Sequence, residues 1–327
     1  TTRERKMKQD YVLEPLGEMK TMYQAYHEEM IELSKKNGKI VLLYGDFPRG
    51  AAGELFQKEH PDRIYDMGIA EANLITTAAG LAGGGYLPFT HCHSIFAVGR
   101  AYNQIRQNVA FDKLNVKVVL CNSGMLWPFM GGSHQIIEEI AALRALPNLV
   151  LVSPSDPVAT RKMTRAIAEH VGPVALRISF PPVPTVYRDD FPFKLGKAVT
   201  LTDGSDATII STGMMLSDAL EAVNTLAKEG IKTRLLDMHT LKPLDAEAII
   251  KAARETGAIV TVEDSSILGG LGGAVTEVVA ETTPVPVKRV GIKDRFGQSG
   301  TVPELKEEYE ISARHIVQAV REVVKKK

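Results

Sequence analysis

Short apolar runs recur along the chain at Val41 to Tyr44, Val116 to Leu120, Leu149 to Val152, Ala207 to Ile210 and Ile259 to Val262. Longer stretches with helical period separate them. Strands that are apolar on both faces and alternate with helices predict parallel sheets covered on both sides. Some helices are legible individually. Asp156 followed by Pro157 reads as an N-cap and first-turn pair, and Leu216, Leu220, Val223 and Ala227 form an apolar stripe beyond it. Ile316, Val317, Val320 and Val324 mark one face of the last helix.

The pattern lapses between Pro181 and Pro192, a proline-rich stretch that supports neither a helix nor a central strand. A boundary there predicts two units, residues 1–185 and a smaller 195–327, each with its own core. The expected fold class is α/β: two three-layer α/β/α domains, the first with a mostly parallel sheet. A length of 327 residues suits that division.

Composition changes the picture only by exclusion. Lys+Arg 39 balances Asp+Glu 39, so the overall field does not favour nucleic acid. The cysteines, Cys92 and Cys121, are too few for a disulfide framework or a zinc ligand set. That usage predicts a reducing, cytoplasmic setting. Thr1 to Asp10 is polar and mixed in charge, unlike a secretory signal, and no run is long enough to span a membrane. Lys325, Lys326 and Lys327 read as a solvated helix end.

Candidate chemistry lies at the ends of predicted strands. Gly68 to Leu74 follows a strand-like run and sets Glu71 at the opening of an Ala- and Gly-rich helix, where open α/β sheets bind ligands. Glu71 there equally favours the positive end of its own helix. In Gly85 to Phe96, His91 and His93 point the same way from one strand, which could suit a metal, but no third ligand is evident. Phe96 reads as core or as a cofactor platform. Ser133 is placed to cap a helix through Ile136, Ile137, Ile140 and Leu143, leaving His134 in its first turn beside Gly131 and Gly132. His134 is a candidate donor to a substrate oxygen, or a satisfied surface residue. The run Gly269-Gly270-Leu271-Gly272-Gly273 fails the dinucleotide spacing, because the third glycine would fall on Val275. Close packing of its helix against a neighbouring subunit is expected instead.

In order and spacing, these segments resemble the thiamine-diphosphate enzymes of the transketolase group over nearly the whole chain. Gly68 to Leu74 resembles that family's Ile-x-Glu signature, Ser133-His134-Gln135 its Thr-His-Gln, and Leu149 to Asp156 its strand ending Pro-Ser-Asp. Asp294-Arg295-Phe296-Gly297-Gln298-Ser299-Gly300 is similar to its Asp-x-Phe-Gly-x-Ser-Gly. Nothing matches the Gly-Asp-Gly to Asn motif by which a complete transketolase holds magnesium and the cofactor's phosphates. The resemblance therefore implies a pyrimidine-binding domain followed by the transketolase C-terminal domain, the C-terminal half of an enzyme split between two chains.

It further implies an α2β2 assembly with a diphosphate-binding partner that holds most of the thiamine diphosphate and Mg2+, and an inactive homodimer when the chain is alone. The implied reaction moves a two-carbon ketol unit from a ketose or hydroxypyruvate to an aldehyde through an enamine. By the same resemblance Glu71 bonds N1′ of the aminopyrimidine, Phe96 stacks on it after a one-residue shift, and Asp46 and His93 lie near the cofactor. His134 faces the sugar. Asn122 stands where many members have a second substrate histidine, Met130 where they have an aspartate, and Phe180 where a phosphate-binding arginine is common. Arg177, three residues earlier, should point to the opposite face. These departures predict a site more permissive toward short or apolar aldehydes. Two related chemistries compete, a 2-oxo-acid dehydrogenase E1 β subunit and a 1-deoxyxylulose-5-phosphate synthase half, along with a non-catalytic scaffold.

Overall fold

The computed structural model describes residues 8–46 and 51–327. In chain order the elements begin with β1 (Met19–Lys20), α1 (Met22–Lys36), β2 (Ile40–Tyr44), α2 (Ala51–Glu59), β3 (Ile64–Asp66) and α3 (Glu71–Gly83). Then come β4 (Leu87–His93), α4 (Ser94–Gln104), β5 (Lys117–Cys121), α5 (Glu139–Arg144), β6 (Val150–Val152), α6 (Pro157–Glu169), β7 (Val174–Ile178) and β8 (Val183–Pro184). The second half has β9 (Val199–Thr202), β10 (Ala207–Ser211), α7 (Leu216–Lys228), β11 (Thr233–Asp237), β12 (Thr240–Lys242) and α8 (Ala246–Thr256). It closes with β13 (Ile259–Ser266), α9 (Leu271–Thr282), β14 (Val287–Ile292), α10 (Val302–Glu308) and α11 (Ala313–Val324).

Each apolar run read from the sequence is a strand, and the sheets are mostly parallel as expected. One sheet runs β12-β6-β7-β5-β4-β2-β3 and a second β14-β13-β10-β11-β9. Only β12 in the first and β9 in the second are antiparallel to their neighbours. Asp156 caps α6 through a bond from Ala159 N to its Oδ1 at 2.6 Å, with Pro157 in the first turn.

The cores divide by sheet face, not by half of the chain. Ile40, Leu42 and Tyr44 of β2 join one apolar cluster with Ala207 and Ile209 of β10. The alternate residues Val41 and Leu43 join another with Ile210. The expectation of a separate core for each half is corrected accordingly. Both clusters run through both sheets, because strand side chains alternate in direction and each sheet is buried on both faces.

The halves are also laced together. β12 comes from the second half but pairs with β6 at the edge of the first sheet. The N-terminal arm crosses the other way, through a bridge from Lys8 to Thr202, and a second bridge ties Val12 to Tyr187 in the connector. Between the halves Arg177 of β7, buried on the opposite side from Phe180 as its spacing suggested, donates to Glu139 at 2.6 Å and to Asp264 at 3.1 Å. Ser153 and Ser265 complete its shell at 3.0 Å each.

Candidate active site

Because β2, β3, β4, β5 and β7 are parallel, their carboxyl ends open on one edge of the sheet. Asp46, Glu71, His93, Phe96, Asn122 and Phe180 lie at or just past one of these ends, and Met130 and His134 lie in the loop after β5. Local geometry explains how each is aimed. Gly68 takes a left-handed turn at φ +66, and Asp66 accepts its N–H at 2.9 Å. That turn sets Glu71 at the first position of α3, where its side chain is buried at 5% exposure. Ser94 opens α4 with its hydroxyl donating to Cys121 O at 2.9 Å, which ties the helix to β5 and fixes where Phe96 stands.

The structure brings His93, Phe96 and His134 into one ring cluster. His134 packs edge-on to Phe96 at 5.2 Å and to His93 at 5.7 Å. Trp127, which sequence reasoning missed, stacks on His93 at 4.7 Å with planes 16° apart. Phe180 lies beyond it, 6.1 Å from Trp127 and 6.4 Å from Phe129. Burial, and His134 nearby, push His93 down to about 4, so its ring is neutral at physiological pH. Asn122 Nδ2 lies 2.8 Å from His93 Nδ1. An amide nitrogen can only donate, so Nδ1 accepts and the ring proton sits on Nε2.

Other expected residues stand elsewhere. Asn122 is fully buried, behind His93 and off the open face. Met130 is half-exposed at the rim, with its carbonyl accepting from Ser133 Oγ at 3.2 Å. Asp46 is exposed at the end of β2 with φ 52, its N–H donating to Asp66 Oδ1 at 3.3 Å. His91 is in the core, 2.8 Å from the Tyr26 hydroxyl. Among the described residues no three of His, Cys, Asp and Glu gather as a cation would need.

The helix expected from Ser133 is corrected. Residues Gly131–Ser133 form a single 3-10 turn, and α5 starts only at Glu139. The backbone there is paired elsewhere, Ile136 N–H donating to Gly124 O at 3.4 Å and Ile137 O accepting from Ser266 N at 2.7 Å. The Gln135 amide donates across to Trp127 O at 2.9 Å and Gln298 O at 3.1 Å. The segment 297–300 of the second half is thereby threaded against the His134 loop, and a Cβ on Gly132 would come within 2.7 Å of Gly297 O. The glycine run before α9 also has its reason within the chain. Glu263 accepts from Leu271 N and Gly272 N at 2.8 Å each, and a Cβ on Gly270 would meet its Cδ at 2.8 Å.

Arg100 is a second residue whose place the sequence reading did not anticipate. One helical turn after Phe96, its guanidinium lies over that ring, 4.4 Å from the centroid. Its Nη1 donates to Glu71 Oε1 at 3.0 Å. The i, i+4 spacing of Phe96 and Arg100 on a helix was the available signal.

A strand-end site on a parallel sheet, with a buried carboxylate beside an aromatic ring and two histidines, stands where α/β proteins of this kind bind their ligands. Residues 18–183 match the transketolase pyrimidine binding domain and residues 196–316 the transketolase C-terminal domain. The chain belongs to the transketolase family, whose members are thiamine-diphosphate-dependent transferases. It is 39% identical to a 6-deoxy-6-sulfo-D-fructose transketolase subunit of Clostridium sp. (strain MSTE9), over 92% of this chain and 94% of that one. It is 42% identical to a putative transketolase C-terminal section of Methanocaldococcus jannaschii, over 95% and 98%. Among solved structures it resembles a split-gene transketolase in an inactive beta4 tetramer, with TM-score 0.88, 41% identity, and 93% and 98% of the two chains covered.

Proposed function

We propose that this chain is the pyrimidine-holding and substrate-orienting β subunit of a two-chain, α2β2 transketolase. It moves a two-carbon ketol unit from a ketose or hydroxypyruvate to an aldehyde. Residues 1–185 form the pyrimidine-binding unit and 195–327 the C-terminal unit. The partner supplies the diphosphate and Mg2+ site. The observation that carries the reading is the pairing of Glu71 with Phe96: a buried carboxylate and an aromatic face already hold a flat N–C–N cation between them. An aminopyrimidine fits that donor set. When bound, thiamine diphosphate supplies a carbon acid at its thiazolium and a sink for the electrons of the broken C–C bond.

This chain's own residues do the rest. Phe96 stacks on the pyrimidine. Glu71 hydrogen-bonds N1′ and exchanges a proton with it. His93 presents Nε2–H to a substrate oxygen, with Asn122 fixing the tautomer from behind. His134 turns its Nδ1 to Ser133 Oγ at 2.9 Å and faces the sugar with Nε2. Trp127, Phe129, Met130 and Phe180 line the mouth with apolar surface, which supports acceptors that are short or apolar over sugar phosphates. Arg177, the nearest cation in the sequence to Phe180, is fully engaged by Glu139 and Asp264.

Cys92 and Cys121 are buried free thiols, in keeping with a reducing cytoplasm. Among the described residues no helix is long and apolar enough to cross a membrane. Exposed Ile69 at 71% and Phe129 at 73% beside the site support a face that a partner covers, and self-association into an inactive assembly without it.

The test is ketol transfer from hydroxypyruvate to glycolaldehyde with thiamine diphosphate and Mg2+, for the chain alone and mixed with a diphosphate-binding subunit. Activity is expected only in the mixture, and Glu71→Gln should lower it by a factor of about 100 or more. Unchanged turnover in that variant removes the catalytic assignment. Use of pyruvate with glyceraldehyde 3-phosphate, or acylation of a lipoyl domain, reassigns the reaction.

A further inference from the structure

Arg100 is left without a task by the catalytic reading, yet it touches both residues that hold the cofactor's pyrimidine. Its guanidinium stacks on Phe96 and bonds Glu71 at once. A guanidinium and a protonated 4-aminopyrimidine share the relevant chemistry. Each is a flat, delocalised N–C–N cation with in-plane N–H donors, suited to an aromatic face on one side and a carboxylate at its edge. The two partners differ in their freedom to move. Glu71 is 5% exposed and fixed in the first turn of α3, whereas the Arg100 side chain is 53% exposed. A buried carboxylate left alone is unfavourable, and an arginine at the surface can leave for water at little cost.

We propose that Arg100 is a positioning residue that holds the seat of the aminopyrimidine in the cofactor-free subunit. It keeps Glu71 paired and Phe96 in place, and it swings to solvent as the pyrimidine enters. This rests on the cofactor reading above. The cofactor then competes with an internal mimic, and deleting the mimic tightens binding. An exposed ion pair and a cation–π contact are together worth about a factor of ten in affinity. An arginine that stays and helps to hold the cofactor would have the opposite effect, because its loss would weaken binding.

The chain has a single tryptophan, so the fluorescence of Trp127 reports on the ring cluster without background. Thiamine, which carries the aminopyrimidine, is titrated into the full chain and Trp127 emission followed for wild type, R100M, R100K and E71A. R100M is expected to bind about tenfold more tightly than wild type, R100K to fall between them, and E71A to lose binding. Thermal melts of the unliganded variants separate this from a merely structural role, which would lower the melting temperature without tightening thiamine. Equal or weaker binding by R100M, with E71A still defective, overturns seat-holding and leaves the cofactor reading standing. No response in wild type, or undiminished binding by E71A, overturns both.

Discussion

Gly297→Ala adds one carbon where the second half of the chain meets the His134 loop. The new methyl would overlap Gln135 Oε1, lie 2.8 Å from Cδ and 3.1 Å from Cβ, so Gln135 must move. Gln135 is 4% exposed and has little room. Moving it breaks its bonds to Trp127 O and Gln298 O, which are 2.9 and 3.1 Å long. Two neutral hydrogen bonds contribute about 1–3 kcal/mol, and overpacking costs about 1–3 kcal/mol more. A penalty near ~3 kcal/mol lowers the melting temperature by roughly 4 °C for a chain of 327 residues, at about 2.1 cal/mol/K of unfolding entropy per residue. The discriminating experiment is a double-mutant cycle read by urea and thermal melts. Gln135→Ala alone loses the two bonds without any clash. Combined with Gly297→Ala it removes Oε1 and Cδ, the atoms the methyl would strike hardest, and leaves only Cβ at 3.1 Å, so the double variant should be close in stability to Gln135→Ala. A coupling of about 1–3 kcal/mol is expected. Simple addition of the two single penalties would refute the steric reasoning.

Arg177→Met leaves Glu139 and Asp264 buried without their cation and should cost about 3–5 kcal/mol in urea unfolding. Burial already holds Glu139 above its ordinary value, so the deficit should shrink on acidification as Glu139 protonates; a deficit independent of pH would contradict this. Burial pushes Asp237 up to about 7 and Glu263 up to about 8, from 3.8 and 4.5, so the folded chain holds more protons than the unfolded one in between. Their contribution is complete below about pH 4 and is lost as pH rises to about 8. His27, His93 and His239, pushed down to about 4 by burial, act oppositely, and their contribution is lost as pH falls from 6.5 to 4. The melting temperature should therefore fall from pH 6.5 to 8, with Glu263→Gln flattening the slope; a rise in wild type over that range would show the assignment to be wrong. Phe180→Arg should raise kcat/KM for phosphorylated over unphosphorylated aldehydes by about tenfold. An unchanged ratio would take Phe180 out of acceptor selection.

What the sequence disclosed and what it hid differ in range. Apolar runs such as Val41 to Tyr44 gave their strands because burial on both faces needs only consecutive apolar residues. Asp156 with Pro157 gave a helix start because capping is a contact between near neighbours. Glu71, Phe96 and His134 were legible as motif positions. Contacts made at a distance were not. β12 is three residues long and owes its place to β6, about ninety residues earlier in the chain. Ser133 looked like a cap, yet the carbonyl of Ile137 accepts from Ser266, far along the chain, and no helix begins there. α4 passes into a π-helical segment, Ile105–Phe111, which no local motif marks. Asn122, which the resemblance puts at a substrate position, is fully buried and bonds the His93 ring, a contact that sequence alone does not show.

The crossing of β12 and the N-terminal arm bears on where this polypeptide tolerates interruption. The proline-rich connector looks like the natural place to cut a gene or to insert a reporter domain. A fragment ending there would leave the outer edge of β6 uncovered, with a row of unpaired backbone groups ready to recruit another chain. Its companion would lose the bridge from Lys8 to Thr202. Fragment complementation at the connector would thus compete with aggregation. An insertion in an exposed turn that leaves both crossings intact is the safer engineering site.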